Sequence, residues 1–179
     1  MKRFYFLFLL FQMTLFGYEY DKLLLKAQAN IFPKLILLDQ DISKKVKDKE
    51  IVFCIVSHPS DRIKSVQIKK MIEDKFGNSL EEYKLNIVLK GFDEVKNSDK
   101  SNAYYILQGA SKKAKRISDI AQKNRVPAFA YEPLYFKDGA LISLVIHNES
   151  TIYFNKKVHK SYGINFVDIF YQVVRFSND

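Results

Sequence analysis

Six consecutive apolar residues, Ile51-Val52-Phe53-Cys54-Ile55-Val56, constrain this chain more than any other feature. Side chains alternate between the two faces of a strand, so an unbroken apolar run of strand length needs cover on both faces. That environment is a parallel sheet with helices packed on either side. The flanking sequence supplies the helices. Ser57-His58-Pro59-Ser60-Asp61 turns the chain, and Ser60 or Asp61 is placed to cap a helix through about Phe76. Its apolar residues Ile63, Val66, Ile68, Met71 and Ile72 recur unevenly but helically, and Gly77-Asn78 is a stop signal.

The same alternation continues. Leu85–Leu89, Ala103–Leu107 and Val126–Tyr131 read as strands, with Pro127 placing the last at a strand start or a sheet edge. Gly91–Lys100 reads as a polar loop or short helical turn, and Ser111–Asn124 as a basic helix. Upstream, Leu24, Ala27, Gln28, Ile31 and Phe32 fall at helical spacing, and Pro33 is expected to end or kink that helix. Asp39–Glu50, with Lys44, Lys45, Lys47 and Lys49, suits a solvated connection. Downstream, Ala140–Ile146 and Thr151–Phe154 flank His147-Asn148-Glu149-Ser150, which predicts an antiparallel hairpin. Asn155 then stands where a side-chain oxygen can cap the helix Lys156–Tyr162, ended at Gly163. Asn165 is expected to cap a terminal helix through Phe176, with Phe166, Ile169, Phe170, Val173 and Val174 along one side. The expected fold is an α/β single-domain sandwich with a mixed, mostly parallel sheet, a C-terminal antiparallel hairpin and a terminal helix.

A length of 179 residues, 47% of them hydrophobic, suits one domain with a substantial core. The N-terminus reads as a targeting segment. Met1-Lys2-Arg3 is a basic head, Phe4–Phe16 is an apolar run broken only by Gln12 and Thr14, and Glu19 and Asp21 follow. That is the layout of a secretory signal peptide, and the run is shorter than the ~20 residues of a spanning helix. Residues 1–17 are therefore expected to be the signal peptide and 18–179 the exported domain, with an uncleaved N-terminal anchor as the alternative. Losing Lys2 and Arg3 takes the formal charge from +9 to +7, so the exported part stays basic. Two accounts of that charge stand: lysine-rich composition without a nucleic-acid partner, or a face for anionic lipid or polymer. The single cysteine, Cys54, excludes an intramolecular disulfide, and its neighbours are those of a buried strand.

Constellations for chemistry are not found. The loop at Ser57–Asp61 could receive an anion on the following helix, but it contains no glycine and matches no nucleotide-binding fingerprint. His58, His147 and His159 have no metal-site spacing, and no serine lies in a nucleophile elbow. His147 and Glu149 share the hairpin tip, where a solvated turn is the simpler reading. The helix bearing Lys112, Lys113, Lys115, Arg116, Lys123 and Arg125 could meet an acidic surface or be a solvated face. Tyr131, Tyr135 and Phe136, beside Pro133, are either plugs over the core or an anchor for a protein partner. No enzyme, metal or cofactor is expected.

Several motifs taken together resemble the YfiR-like (YfiR/HmsC-like) family of periplasmic regulatory proteins. These are IVFCIVSH, the spacing to Ala103-Tyr104-Tyr105-Ile106-Leu107, PAFAYE, FKDGALISL, and IYFN followed by Gly163-Ile164-Asn165-Phe166. The resemblance runs from the KAQANIF helix to the terminal helix, in order and spacing more than identity. It implies an α/β domain in the periplasm, often a homodimer, that represses a membrane-bound diguanylate cyclase by binding its periplasmic portion. On that basis Cys54, Gly139, Asn155 and Gly163 match structural positions of the family. Cys54 lacks its usual partner cysteine, because Ser101-Asn102-Ala103 occupies that place, and the family's paired glycines are here Asp138-Gly139. Tyr135, Phe136, Glu149 and Phe154, around the hairpin, are the expected contacts with an inner-membrane signalling protein, a cyclase or sensor kinase. A small periplasmic solute-binding protein for a transporter or receptor is the alternative, motivated by the fold class and the open loop at Ser57–Asp61.

Overall fold

The structure, a computed structural model, describes residues 20–177. The expected signal peptide and its cleavage site lie outside the described residues. Among the described residues the hydrophobic core runs from Tyr20 to Val174.

The Ile51–Val56 run lies within the central strand β1 (Glu50–Ser57), flanked on both sides by parallel neighbours. Those neighbours are β3 (Tyr83–Gly91) and β4 (Ala103–Ile106). Beyond β4 come β5 (Ala128–Ala130) and β6 (Ile142–Ile146), also parallel, and then β7 (Ser150–Asn155), antiparallel to β6 as the expected hairpin. Two strands escape the sequence reading. β2 (Ser79–Leu80) forms a short hairpin with β3, and β8 (Val174–Ser177) runs parallel to β7. The eight described strands form one sheet in the order β2-β3-β1-β4-β5-β6-β7-β8. The α/β single-domain architecture with a mixed, mostly parallel sheet is as expected.

Helix α1 (Lys22–Ile36) runs through Pro33 rather than stopping there. Proline removes one N–H from a last turn, and burial of Pro33, Leu35 and Ile36 holds that turn on the core. Asp21 caps α1, accepting from the N–H groups of Leu23 at 2.7 Å and Leu24 at 3.1 Å. A single turn, α2 (Ile42–Lys45), precedes β1. Helix α3 (Arg62–Phe76) ends at Gly77 as expected, and only Ser65, Ile68 and Ile72 of it are buried. Asp61 stands at its N-cap, yet neither Ser60 nor Asp61 supplies a side-chain cap. The Asp61 carboxylate instead accepts from the Tyr20 hydroxyl at 3.0 Å. Helix α4 (Ser111–Asn124) has the expected bounds. Short helices α5 (Lys156–Tyr162) and α6 (Asp168–Val173) follow the hairpin.

Two capping expectations are corrected here. Asn155 sits at the N-cap of α5 but does not cap it: the side chain is buried and its Nδ2 donates to Phe136 O and Ala140 O, both at 3.0 Å. It ties the turn before β6 to the end of β7. Asn165 caps nothing. The N-cap of α6 is Val167, and the chain leaves the helix after six residues to add β8 to the sheet. Pairing of Val174–Ser177 with Ile152–Asn155 offers backbone partners that a longer helix would forgo.

Gly139 and Gly163 are architectural. Gly139 has φ +88°, and a Cβ there would stand 3.2 Å from Ser118 Cβ on α4. Gly163, at φ +58°, closes α5 in the left-handed conformation.

Candidate functional site

The connections fix where a site can form. β1→α3→β3 moves one way along the sheet and β4→α4→β5 moves the other. Both are parallel crossovers and therefore right-handed, so α3 and α4 lie on opposite faces. Between β1 and β4 the winding reverses, and the chain splays apart at their carboxyl ends. Open α/β sheets place ligand crevices at such a point.

A cavity of about 510 Å³ occupies that position, lined by Tyr20, His58, Ser60, Asp61, Ile63, Lys64, Gln108 and Gly109. The Ser57–Asp61 loop singled out in the sequence forms one wall, and its far side borders a second groove with Arg62 and Glu94. Within the loop, His58 Nδ1 lies 2.9 Å from Ser60 Oγ. The Tyr20 hydroxyl accepts from Gln108 N at 3.1 Å while donating to Asp61. Burial, and then the neighbouring Asp61 charge, push the Tyr20 phenol far above its ordinary value, so it stays protonated and acts as a fixed donor. Gly109 is held by the Tyr135 hydroxyl, which accepts from Gly109 N at 2.9 Å and donates to Gly109 O at 3.0 Å.

At the opposite edge of the sheet a second cleft of about 540 Å³ is lined by Lys45, Asp99, Lys100, Ser101, Asn102 and Asn124 among others. Lys45 is bound to buried Asp39 at 2.5 Å, and Lys90 to Asp99 at 2.7 Å, so two of the charges near it are already paired. Cys54 is buried and free. Burial, only partly offset by Lys90 and by Ser101 beside it, pushes its thiol up to about 12. At neutral pH it is a protonated core residue. Among the described residues no group of three or more His, Cys, Asp or Glu is arranged to hold a metal.

The four expected partner contacts separate sharply. Tyr135, Phe136 and Phe154 are buried and present no surface to a partner, which corrects their assignment. Phe154 is packed edge-on by Phe166, Phe170, Tyr171, Phe176 and His159, at centroid distances of 4.9–6.1 Å. Tyr135 and Phe136 are plugs beneath the turn before β6. Glu149 alone is exposed, at the hairpin tip, where His147 N donates to Glu149 O at 3.2 Å.

Exposed apolar residues near the hairpin come from a place that the sequence reading treats as core. Ile169 and Val173 on α6 and Phe176 on β8 are 55%, 56% and 44% exposed. β8 is the last strand of the sheet, and no described strand pairs with its outer edge. The signal was present in excess. Of Phe166, Ile169, Phe170, Val173 and Val174 only Phe166, Phe170 and Val174 are buried, and within the six residues of α6 Phe170 alone is turned inward. The basic helix α4 is largely self-satisfied: Lys113 pairs with Asp93 and Lys115 with Asp119, both at 2.7 Å, and Arg116 donates to Phe92 O and Val95 O.

No family model and no curated protein matches the chain. Solved structures do resemble it. A conserved domain protein from Vibrio cholerae O1 biovar El Tor str. N16961 is 13% identical with a TM-score of 0.56, covering 85% of this chain and 59% of that one. An ABC domain from Streptococcus pneumoniae, solved in complex with L-Trp, is 12% identical with a TM-score of 0.52, covering 79% of this chain and 60% of that one. The chain thus spans about three-fifths of each neighbour's length, and the likeness is one of fold.

Proposed function

We propose that the protein is an exported, non-catalytic regulatory domain of the YfiR-like kind. It binds and represses a membrane-bound signalling protein, a diguanylate cyclase, and so lowers cyclic-di-GMP output and biofilm formation. The observation that carries the reading is the C-terminal sheet edge. Among the described residues no strand pairs with the outer edge of β8, Ile169, Val173 and Phe176 expose apolar surface beside it, and Glu149 lies at the adjoining hairpin tip. Apolar groups rimmed by polar ones beside an open edge suit a protein partner, which can add a strand or cover the side chains. This moves the contact surface from Tyr135, Phe136 and Phe154 to neighbours of the same hairpin.

The test is binding of residues 18–179 to the purified extracytoplasmic portion of a membrane-bound cyclase encoded in the same genome. Val173→Asp and Phe176→Asp are expected to weaken that binding at least about tenfold, since each puts a charge into a dry contact. Binding untouched by both variants, or absent for every such cyclase and sensor kinase, would sink the proposal.

A second reading, solute binding, is favoured by the crevice at the reversal between β1 and β4, and by the neighbour solved with L-Trp. A ligand that binds only the native state must raise its melting temperature. A thermal-shift panel of amino acids and related small solutes that yields no stabilising compound would count against it.

A further inference from the structure

The crevice at the reversal between β1 and β4 holds polar groups that the fold leaves unused. Asp61 stands at the N-cap of α3 and Lys64 in its first turn, and both line the cavity. Opposite charges three residues apart at a helix start are placed to pair. Asp41, likewise at the N-cap of α2, and Lys44 do so at 2.6 Å. Asp61 and Lys64 do not. The Tyr20 hydroxyl takes Asp61 Oδ2 at 3.0 Å, and among the described residues Lys64 Nζ and Asp61 Oδ1 have no partner. Gln108, across the crevice, engages Tyr20 through its backbone N–H, so its side-chain amide is also uncommitted among the described residues. The cleft at the opposite edge of the sheet differs in this respect. Of the charged residues lining it, all but Lys100 already have an ion-pair partner.

These unused groups describe a ligand. Asp61 is the carboxylate and Lys64 the lysine of the lining, with His58 beside them, so a net anion would face Asp61 and a net cation would face Lys64. A solute carrying one charge of each sign satisfies both. Ile63, 71% exposed and lining the same cavity, adds an apolar contact, and a side chain laid on it removes apolar surface from water. The volume of about 510 Å³ is that of a site for one small solute.

We infer that this crevice binds a free α-amino acid with an apolar side chain. Lys64 Nζ and the Gln108 amide donate to its carboxylate, Asp61 Oδ1 accepts from its ammonium, and Ile63 meets its side chain. The inference rests on the solute-binding reading above and deepens it by naming the class of ligand. Tyr20 prepares the site: its hydroxyl, accepting from Gln108 N and donating to Asp61, ties the two walls together before any ligand arrives.

Isothermal titration calorimetry of the purified protein tests this with L-phenylalanine and L-leucine, each against analogues that lack one charged group. Hydrocinnamate and isocaproate lack the ammonium, and phenethylamine and isopentylamine lack the carboxylate. L-Serine lacks the apolar side chain, and D-glucose and inorganic phosphate represent other solutes. At least one of the two apolar amino acids is expected to bind, and loss of either charged group to weaken it at least about tenfold, as for a hydrogen bond between charged partners. Lys64→Met should weaken the amino acid by a similar factor without weakening the matching amine, and should leave the melting temperature of the unliganded protein unchanged, because Nζ holds nothing in the fold. Asp61→Asn should weaken the amino acid and spare the matching acid. An analogue or L-serine binding as tightly as the apolar amino acids, binding of glucose or phosphate alone, or full amino-acid affinity in Lys64→Met would overturn the inference while leaving the solute reading in place. Binding of none of these compounds would overturn both.

Discussion

Gln28 is the side chain whose removal tests the packing argument most severely. It is fully buried on α1, and its amide serves three partners on the sheet. Nε2 donates to Tyr131 O at 2.8 Å and Leu144 O at 2.9 Å, and Oε1 accepts from the Tyr105 hydroxyl. Pairing between β5 and β6 covers only Phe129↔Ile142 and Ala130↔Ser143, so the Gln28 amide bridges the two strands where that ladder stops. Gln28→Leu keeps most of the volume and leaves two carbonyls and a phenol without their partner in a dry interior. At about 1–3 kcal/mol for each orphaned group, the loss should be about 3–5 kcal/mol, after allowing for relaxation and the extra apolar contact. Urea unfolding at pH 7, comparing midpoints at equal slope, measures it. Tyr105→Phe alone should cost about 1 kcal/mol, but in the Gln28→Leu background it should cost less or restore stability, because it removes one of the orphans. A Gln28→Leu loss below about 1 kcal/mol, or additive effects of the two changes, would refute the account of this network.

Three further outcomes follow from the geometry. Gly139→Ala should destabilise by about 1–3 kcal/mol through the left-handed backbone and the 3.2 Å approach to Ser118, read as a lower urea midpoint. Phe154→Ala should cost about 3–5 kcal/mol by opening a cavity among five aromatic rings, and any loss of partner binding should track unfolding, whereas Val173→Asp should lose binding with stability intact. The Cys54 thiol, raised from 9.0 to about 12 in the fold, contributes stability below pH 9 that is lost as pH rises toward 12. Wild type should therefore lose up to about 4 kcal/mol more than Cys54→Ala across that window, a difference that pH-dependent unfolding of the pair isolates from the tyrosines.

The parallel centre of the sheet was legible because its signals are local and redundant. Ile51–Val56 can be satisfied only inside a covered sheet, and Gly77 and the Asp138-Gly139 turn mark boundaries that the backbone uses. The C-terminal end was misread because a short helix and an edge strand share one apolar sequence. Nothing local says that Val174 leaves the helix; pairing with Ile152, distant in sequence, decides it. The same limit explains the site. Aromatic residues beside Pro133 look alike as plugs or anchors, and only their depth separates Tyr135 and Phe136 from exposed Leu134. Asn155 was legible as important but not in its role, since the two carbonyls it holds come from residues 136 and 140. Tyr20 gave no signal, because its partners Asp61 and Gln108 lie 41 and 88 residues away.

The central claim is repression of a membrane-bound cyclase through the α6–β8 edge. Its most direct test is the cellular cyclic-di-GMP level in cells lacking this protein, complemented with either wild-type or Val173→Asp protein at equal abundance. The account predicts a rise on deletion that wild type reverses and Val173→Asp does not. An unchanged level on deletion, or full reversal by Val173→Asp, would contradict it.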